Sequence, residues 1–112
     1  METLSIDSAK PFSFELIQRA LSQVWRVEVS NADTLIVHGV GSRVYIHSEL
    51  TSNTSGRRRL MLDYSDVDLV KSVVERIADD PDIMVGNDFG TILPGDQFVA
   101  RIKAEVGWNW RS

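Results

Sequence analysis

The chain has 112 residues, 43% of them hydrophobic, which is enough for one core and too few for two ordinary domains, so residues 1–112 are expected to fold as one unit. A net charge of -4 and a pI near 5.0 argue against nucleic acid as the main partner, because that binding rests on neutralising phosphates. There is no cysteine, hence no disulfide frame or thiolate metal site; no apolar run approaches the ~20 residues that cross a bilayer, the start is not a secretory signal, and the expected location is the cytoplasm, off the membrane.

Residues 1–10 read as a flexible arm, with Leu4 and Ile6 able to pair briefly with a sheet edge. Pro11 stands where helix starts tolerate proline, Ser13 is the N-cap, and Phe14, Ile17, Leu21 and Val24 recur at helical spacing, with Leu16 and Ala20 widening the stripe. From Trp25 the period drops to two, with Trp25, Val27 and Val29 alternating with polar residues ahead of a turn at Asn31-Ala32-Asp33.

Three further strands follow between Thr34 and Asp63. Gly41-Ser42 has the composition of a two-residue hairpin turn with positive φ at its first position. That turn pairs Val40 with Arg43, His38 with Tyr45 and Ile36 with His47. One side of the sheet then carries Leu35, Val37, Val44 and Ile46. The other carries Ile36, His38, Val40, Arg43, Tyr45, His47 and Glu49. Beyond a polar loop at 51–56, residues 57–63 place Leu60 and Leu62 on the apolar side. Arg59, Met61 and Asp63 fall on the mixed side, with Arg59 facing Glu49.

Ser65 caps a second helix whose stripe is Leu69, Val70, Val73, Val74 and Ile77; its last turn carries Asp79 and Asp80, an electrostatic misfit at the negative end of the dipole. Ile83-Met84-Val85 is a short strand, Gly86-Asn87 a turn, and residues 89–93 a second short strand interrupted by Gly90. Asp96 caps a last helix bearing Phe98, Val99, Ile102 and Val106, closed by Gly107, with Trp108 folding back on it. The fold class is therefore α+β, an antiparallel sheet of four to six strands with three helices largely on one side.

The two histidines share the mixed side, where His38, Tyr45, His47 and Asp63 could line a catalytic site with an imidazole as general base. With Glu49 or Asp63 the imidazoles could also hold zinc, but no full ligand set can be placed and no metal is assigned. Arg43 beside Arg57-Arg58-Arg59 suggests an anion patch, though strand alternation splits the run between both sides. Asp79, Asp80, Asp82, Asp88 and Asp96 lack the spacing of a calcium loop. Gly39-Val40-Gly41 lacks the dinucleotide-binding pattern, so no cofactor is expected. Trp108 and Trp110 are either packed on the last helix or form an aromatic anchor for a partner.

Element order, size and acidity resemble the small dimeric chaperones of type III secretion, which implies a homodimer that works on another protein and carries no residue across. The leading reading is a non-catalytic protein-interaction module, homodimeric, of chaperone or immunity type and binding a basic partner. Its contact residues would be Arg43, Tyr45, His47, Arg59, Trp108 and Trp110. The alternative is a small hydrolase or ligand-binding enzyme built on His38, Tyr45, His47 and Asp63.

Overall fold

A computed structural model describes residues 2–49, 57–87, 89–105 and 107–108. The order is β1 (Glu2–Phe12), α1 (Phe14–Ser22), β2 (Arg26–Asn31), β3 (Thr34–His38), β4 (Arg43–Glu49) and β5 (Arg57–Tyr64), followed by α2 (Val67–Ile77), β6 (Ile83–Asn87), β7 (Ile92–Pro94) and α3 (Gly95–Ala104). The strands form one sheet in the order β2-β3-β4-β5-β1-β6-β7, antiparallel throughout. The α+β class and the antiparallel sheet stand as expected, with seven strands instead of four to six. Among the described residues no helix is long and apolar enough to cross a membrane.

The added strand is the segment read as a flexible arm. β1 lies inside the sheet, with Leu4 opposite Leu62 and Asn87, and Ile6 opposite Leu60 and Val85. Leu4 and Ile6 are completely buried. Two apolar residues in alternation are a weak strand signal by themselves; what fixes them is a pair of neighbours some sixty to eighty positions away in sequence, which supply backbone partners on both edges. Pro11 belongs to the end of this strand and not to a helix. It lies past Ser8, the last residue paired to β6, in a stretch where the register with β5 shifts, so its missing N–H costs the ladder nothing there.

One face of the sheet is apolar and carries all three helices. Ile17 and Leu21 of α1, Leu69, Val70, Val73 and Val74 of α2, and Phe98, Val99 and Ile102 of α3 join Leu35, Val37, Val44, Ile46, Leu60 and Leu62 in one cluster. Ser13 caps α1 through its hydroxyl to the Leu16 N–H, as its position predicts. The helix ends at Ser22, so Val24 stays outside the stripe and is exposed, as is Leu16. α1 is tied to α2 by Arg76, whose Nε donates to the Ala20 carbonyl near the end of α1 at 2.7 Å.

The other two helix starts differ from the sequence expectation. Asp66, not Ser65, caps α2, its carboxylate accepting from the N–H groups of Asp68 and Leu69. An ionised cap gains from the helix dipole as well as from the hydrogen bonds. The last turn of α2 is free of the expected misfit, because the helix ends at Ile77 and Asp79 and Asp80 lie beyond it. Asp80 instead organises the turn into β6, accepting the Asp82 N–H on its side chain and the Ile83 N–H on its carbonyl. α3 starts at Gly95 after Pro94 without a side-chain cap. Asp96 sits in the first turn, accepting from the Gln97 N–H. β6 continues through Gly86 and Asn87, and β7 begins only at Ile92.

The β3–β4 turn also moves. Val40 and Gly41 form the tip, the Gly39 N–H donates to the Ser42 carbonyl, and Gly41 adopts a φ of 73°, which glycine accepts without strain. His38 therefore faces Arg43, Ile36 faces Tyr45 and Thr34 faces His47. Two features hold the turn there: the Ser42 hydroxyl donates to Asp66 of the α2 cap at 3.0 Å, and Gly39 approaches Leu69 so closely that a Cβ would come within 2.8 Å of it. Moving the loop by one residue shifts every partner by two, so the division into two faces survives.

Burial of β1 makes a stability prediction. Ile6→Ala should lower the unfolding free energy by about 2–5 kcal/mol, the range for a fully buried aliphatic side chain. Urea denaturation measures it; a loss below about 1 kcal/mol would place β1 at the periphery.

Candidate functional site

Among the described residues no helix covers the second face of the sheet, and its chemistry follows from the registers. Rows of side chains run across the strands: Arg26–His38–Arg43, Glu28–Ile36–Tyr45–Asp63–Thr3 and Thr34–His47–Met61–Ser5. Most of these residues are half-buried.

His47 lies at the centre. Its Nε2 is 3.1 Å from Asp63 Oδ2, and its Nδ1 is 3.2 Å from Thr34 Oγ1. An ionised carboxylate only accepts, so Nε2 carries the proton. In the neutral ring Nδ1 is then the acceptor and the Thr34 hydroxyl donates to it. Asp63 is held from its other oxygen by the Thr3 hydroxyl at 2.8 Å. Tyr45 lies almost parallel to the imidazole, with centroids 6.4 Å apart and planes 7° from parallel. Threonine hydroxyl, imidazole and carboxylate thus stand in a line across β3, β4 and β5, with β1 bracing the carboxylate.

His38 belongs to a different group. Four residues separate its partner Arg43 from His47 along β4, a distance of about 13 Å at the rise of a strand. Its Nε2 is 3.2 Å from Glu28 Oε1, and Arg26 approaches the same oxygen at 3.9 Å. The expected pairing of the two imidazoles is therefore absent. Among the described residues no set of three or more His, Asp or Glu side chains could hold a metal ion.

Of the proposed contact residues, Arg59 faces Glu49 as expected and forms an ion pair with Asp7, at 2.5 Å. Arg43 is exposed at the hairpin end. Trp108 is 8% exposed, packed edge-on to Phe98 with ring centroids 5.0 Å apart and with the Arg101 guanidinium 4.3 Å above its ring. It is part of the α3 core, reached because Gly107 turns the chain at a φ of 82°. Trp110 and the loop at 51–56 lie outside the described residues.

The sequence reading missed Thr34, Thr3, Glu28 and Ser65 as neighbours of the site. Thr34 was recoverable from the correct hairpin register. Thr3 was not, because its strand was taken for a loose arm.

No protein-family model, curated protein or solved structure matches this chain.

The hydrogen-bond line sets the tautomer of neutral His47. A long-range proton–nitrogen NMR spectrum should show the proton on Nε2 in the wild type, with that preference lost in Asp63→Ala. A dominant Nδ1–H form in the wild type would contradict the arrangement.

Proposed function

We propose that this domain is a non-catalytic protein-interaction module that forms a homodimer through the helix-free face at its β6–β7 end. The observation that carries the reading is an apolar strip there. Met84 and Ile92 are exposed at 38% and 67%, and Phe89, between β6 and β7 in sequence, at 48%. Pro94 faces Met84 and Ile92 faces Gly86, which has no side chain to cover the strip. β7 is also an edge strand, with one side of its backbone unpaired in the sheet.

A second copy suits this surface better than a strongly charged partner. Asp7, which faces Met84 from β1, forms an ion pair with Arg59. A two-fold interface is self-complementary, so the same strip on two copies can pack face to face and be buried together. The acidic total is compatible with a basic client elsewhere on the dimer, as the secretion-chaperone resemblance implies.

The Thr34–His47–Asp63 line favours a second reading, acyl hydrolysis: the Thr34 hydroxyl passes its proton to His47 Nδ1 while attacking a carbonyl, Asp63 stabilises the imidazolium, the imidazolium returns the proton to the departing alcohol, and water activated by His47 then releases the acid and restores the hydroxyl.

Sedimentation velocity over a concentration series should show a dimer for the wild type and a monomer of unchanged circular dichroism for Ile92→Asp. A wild type that stays monomeric at the highest concentration overturns the dimer. Turnover of a chromogenic ester that disappears in His47→Ala would move the ranking to the hydrolase; equal background rates in both proteins remove that reading.

A further inference from the structure

At the opposite end of the helix-free face, a cavity of about 430 Å³ opens beside the β3–β4 hairpin. Its lining includes His38, Arg43, Tyr45 and Ser65, with Gly39 and Gly41 contributing backbone. None of the lining residues is acidic. We propose that this cavity binds a small organic phosphate, with the phosphate group on Arg43, Tyr45 and Ser65. The inference is independent of the dimer, which uses the far end of the sheet.

The donors are present and unused. The Arg43 guanidinium and the hydroxyls of Tyr45 and Ser65 have no hydrogen-bond or ion-pair partner among the described residues. Other polar groups nearby are engaged. Ser42 donates to Asp66, and His38 is held by Glu28. Asp63, which faces Tyr45 across the β4–β5 ladder, is taken up by His47 and Thr3, and Asp66, which lines the neighbouring cleft, by Ser42 and the first N–H groups of α2. Glu28 is occupied by His38 and Arg26. The carboxylates near the cavity are therefore satisfied, while the donors on Arg43, Tyr45 and Ser65 are not.

The arrangement of donors selects the anion. Arg43 and Tyr45 project from β4, while Ser65 comes from the loop entering α2, so they approach from two different elements. A carboxylate has two coplanar oxygens that a guanidinium fork alone can fill. A phosphate has oxygens directed to additional donors out of that plane. The cavity is larger than the ion alone requires, and the Tyr45 ring and the bare backbone at Gly39 and Gly41 leave room for an attached organic group.

The test is an amide NMR titration of the whole chain with sodium phosphate, sodium sulfate, sodium acetate and phenyl phosphate at matched ionic strength. Saturable shifts confined to residues 38–45 and 65 are expected with phosphate, and tighter ones with phenyl phosphate. Acetate should leave those signals in place, and sulfate should bind no more tightly than phosphate. Arg43→Gln, an exposed position with little effect on folding, should weaken phenyl phosphate binding about tenfold or more, as for loss of a charge-assisted hydrogen bond. Tyr45→Phe and Ser65→Ala should each weaken it by a smaller factor. Non-saturating shifts spread over the surface, an equal response to acetate, tighter binding of sulfate, or unchanged affinity in Arg43→Gln would each overturn the proposal. Phenyl phosphate binding no tighter than inorganic phosphate would overturn the organic part of the assignment.

Discussion

The rest of the structure depends on the pairing of β1 between β5 and β6. The β2–β5 meander and the β6–β7 pair share no ladder, and β1 is the strand that joins them. Leu4 and Ile6 serve both halves, contributing about 1.5–3 kcal/mol each by their removal from water. A sheet broken at this point would expose two unpaired edges and divide the core under α2. The N-terminal dozen residues therefore decide whether there is one sheet or two.

That continuous sheet has one covered and one open face because α1, α2 and α3 all bury their apolar stripes in the same cluster. The open face makes up for the missing layer with cross-strand contacts. The row from Thr34 through His47 and Asp63 to Thr3 binds β3, β4, β5 and β1 side by side. Its groups remain part-exposed, and a hydrogen bond of this kind contributes about 0.5–1.5 kcal/mol. Its value lies in fixing orientation: a held imidazole, an aligned hydroxyl and a braced carboxylate keep their geometry on an otherwise wet surface.

The open face is chemically divided. Towards β7 it exposes apolar side chains, whereas towards the β3–β4 hairpin it offers unsatisfied hydrogen-bond donors around a concavity. The two ends have different causes. β7 is the edge strand of the sheet, with a neighbour on one side only, whereas Arg43 and Ser65 lie just past Val44–Tyr64, the last pair of the β4–β5 ladder.

The alternation of Leu35, Val37, Val44, Ile46, Leu60 and Leu62 was enough to assign the two faces, because side chains on a strand repeat every two residues and an error of two in register leaves the faces unchanged. The stripe of α2 and the Ser13 cap were equally readable, being set by neighbours within a few positions. Which groups on a face touch was not readable in the same way. The hairpin tip was decided by Ser42 bonding to Asp66 and by Gly39 against Leu69, contacts that exist only once α2 has docked, and they separated His38 from His47. Local periodicity determined the elements and their sides; long-range packing decided the place of β1, the register of the turn and hence the members of each site, because those choices depend on partners that the chain brings together only when folded.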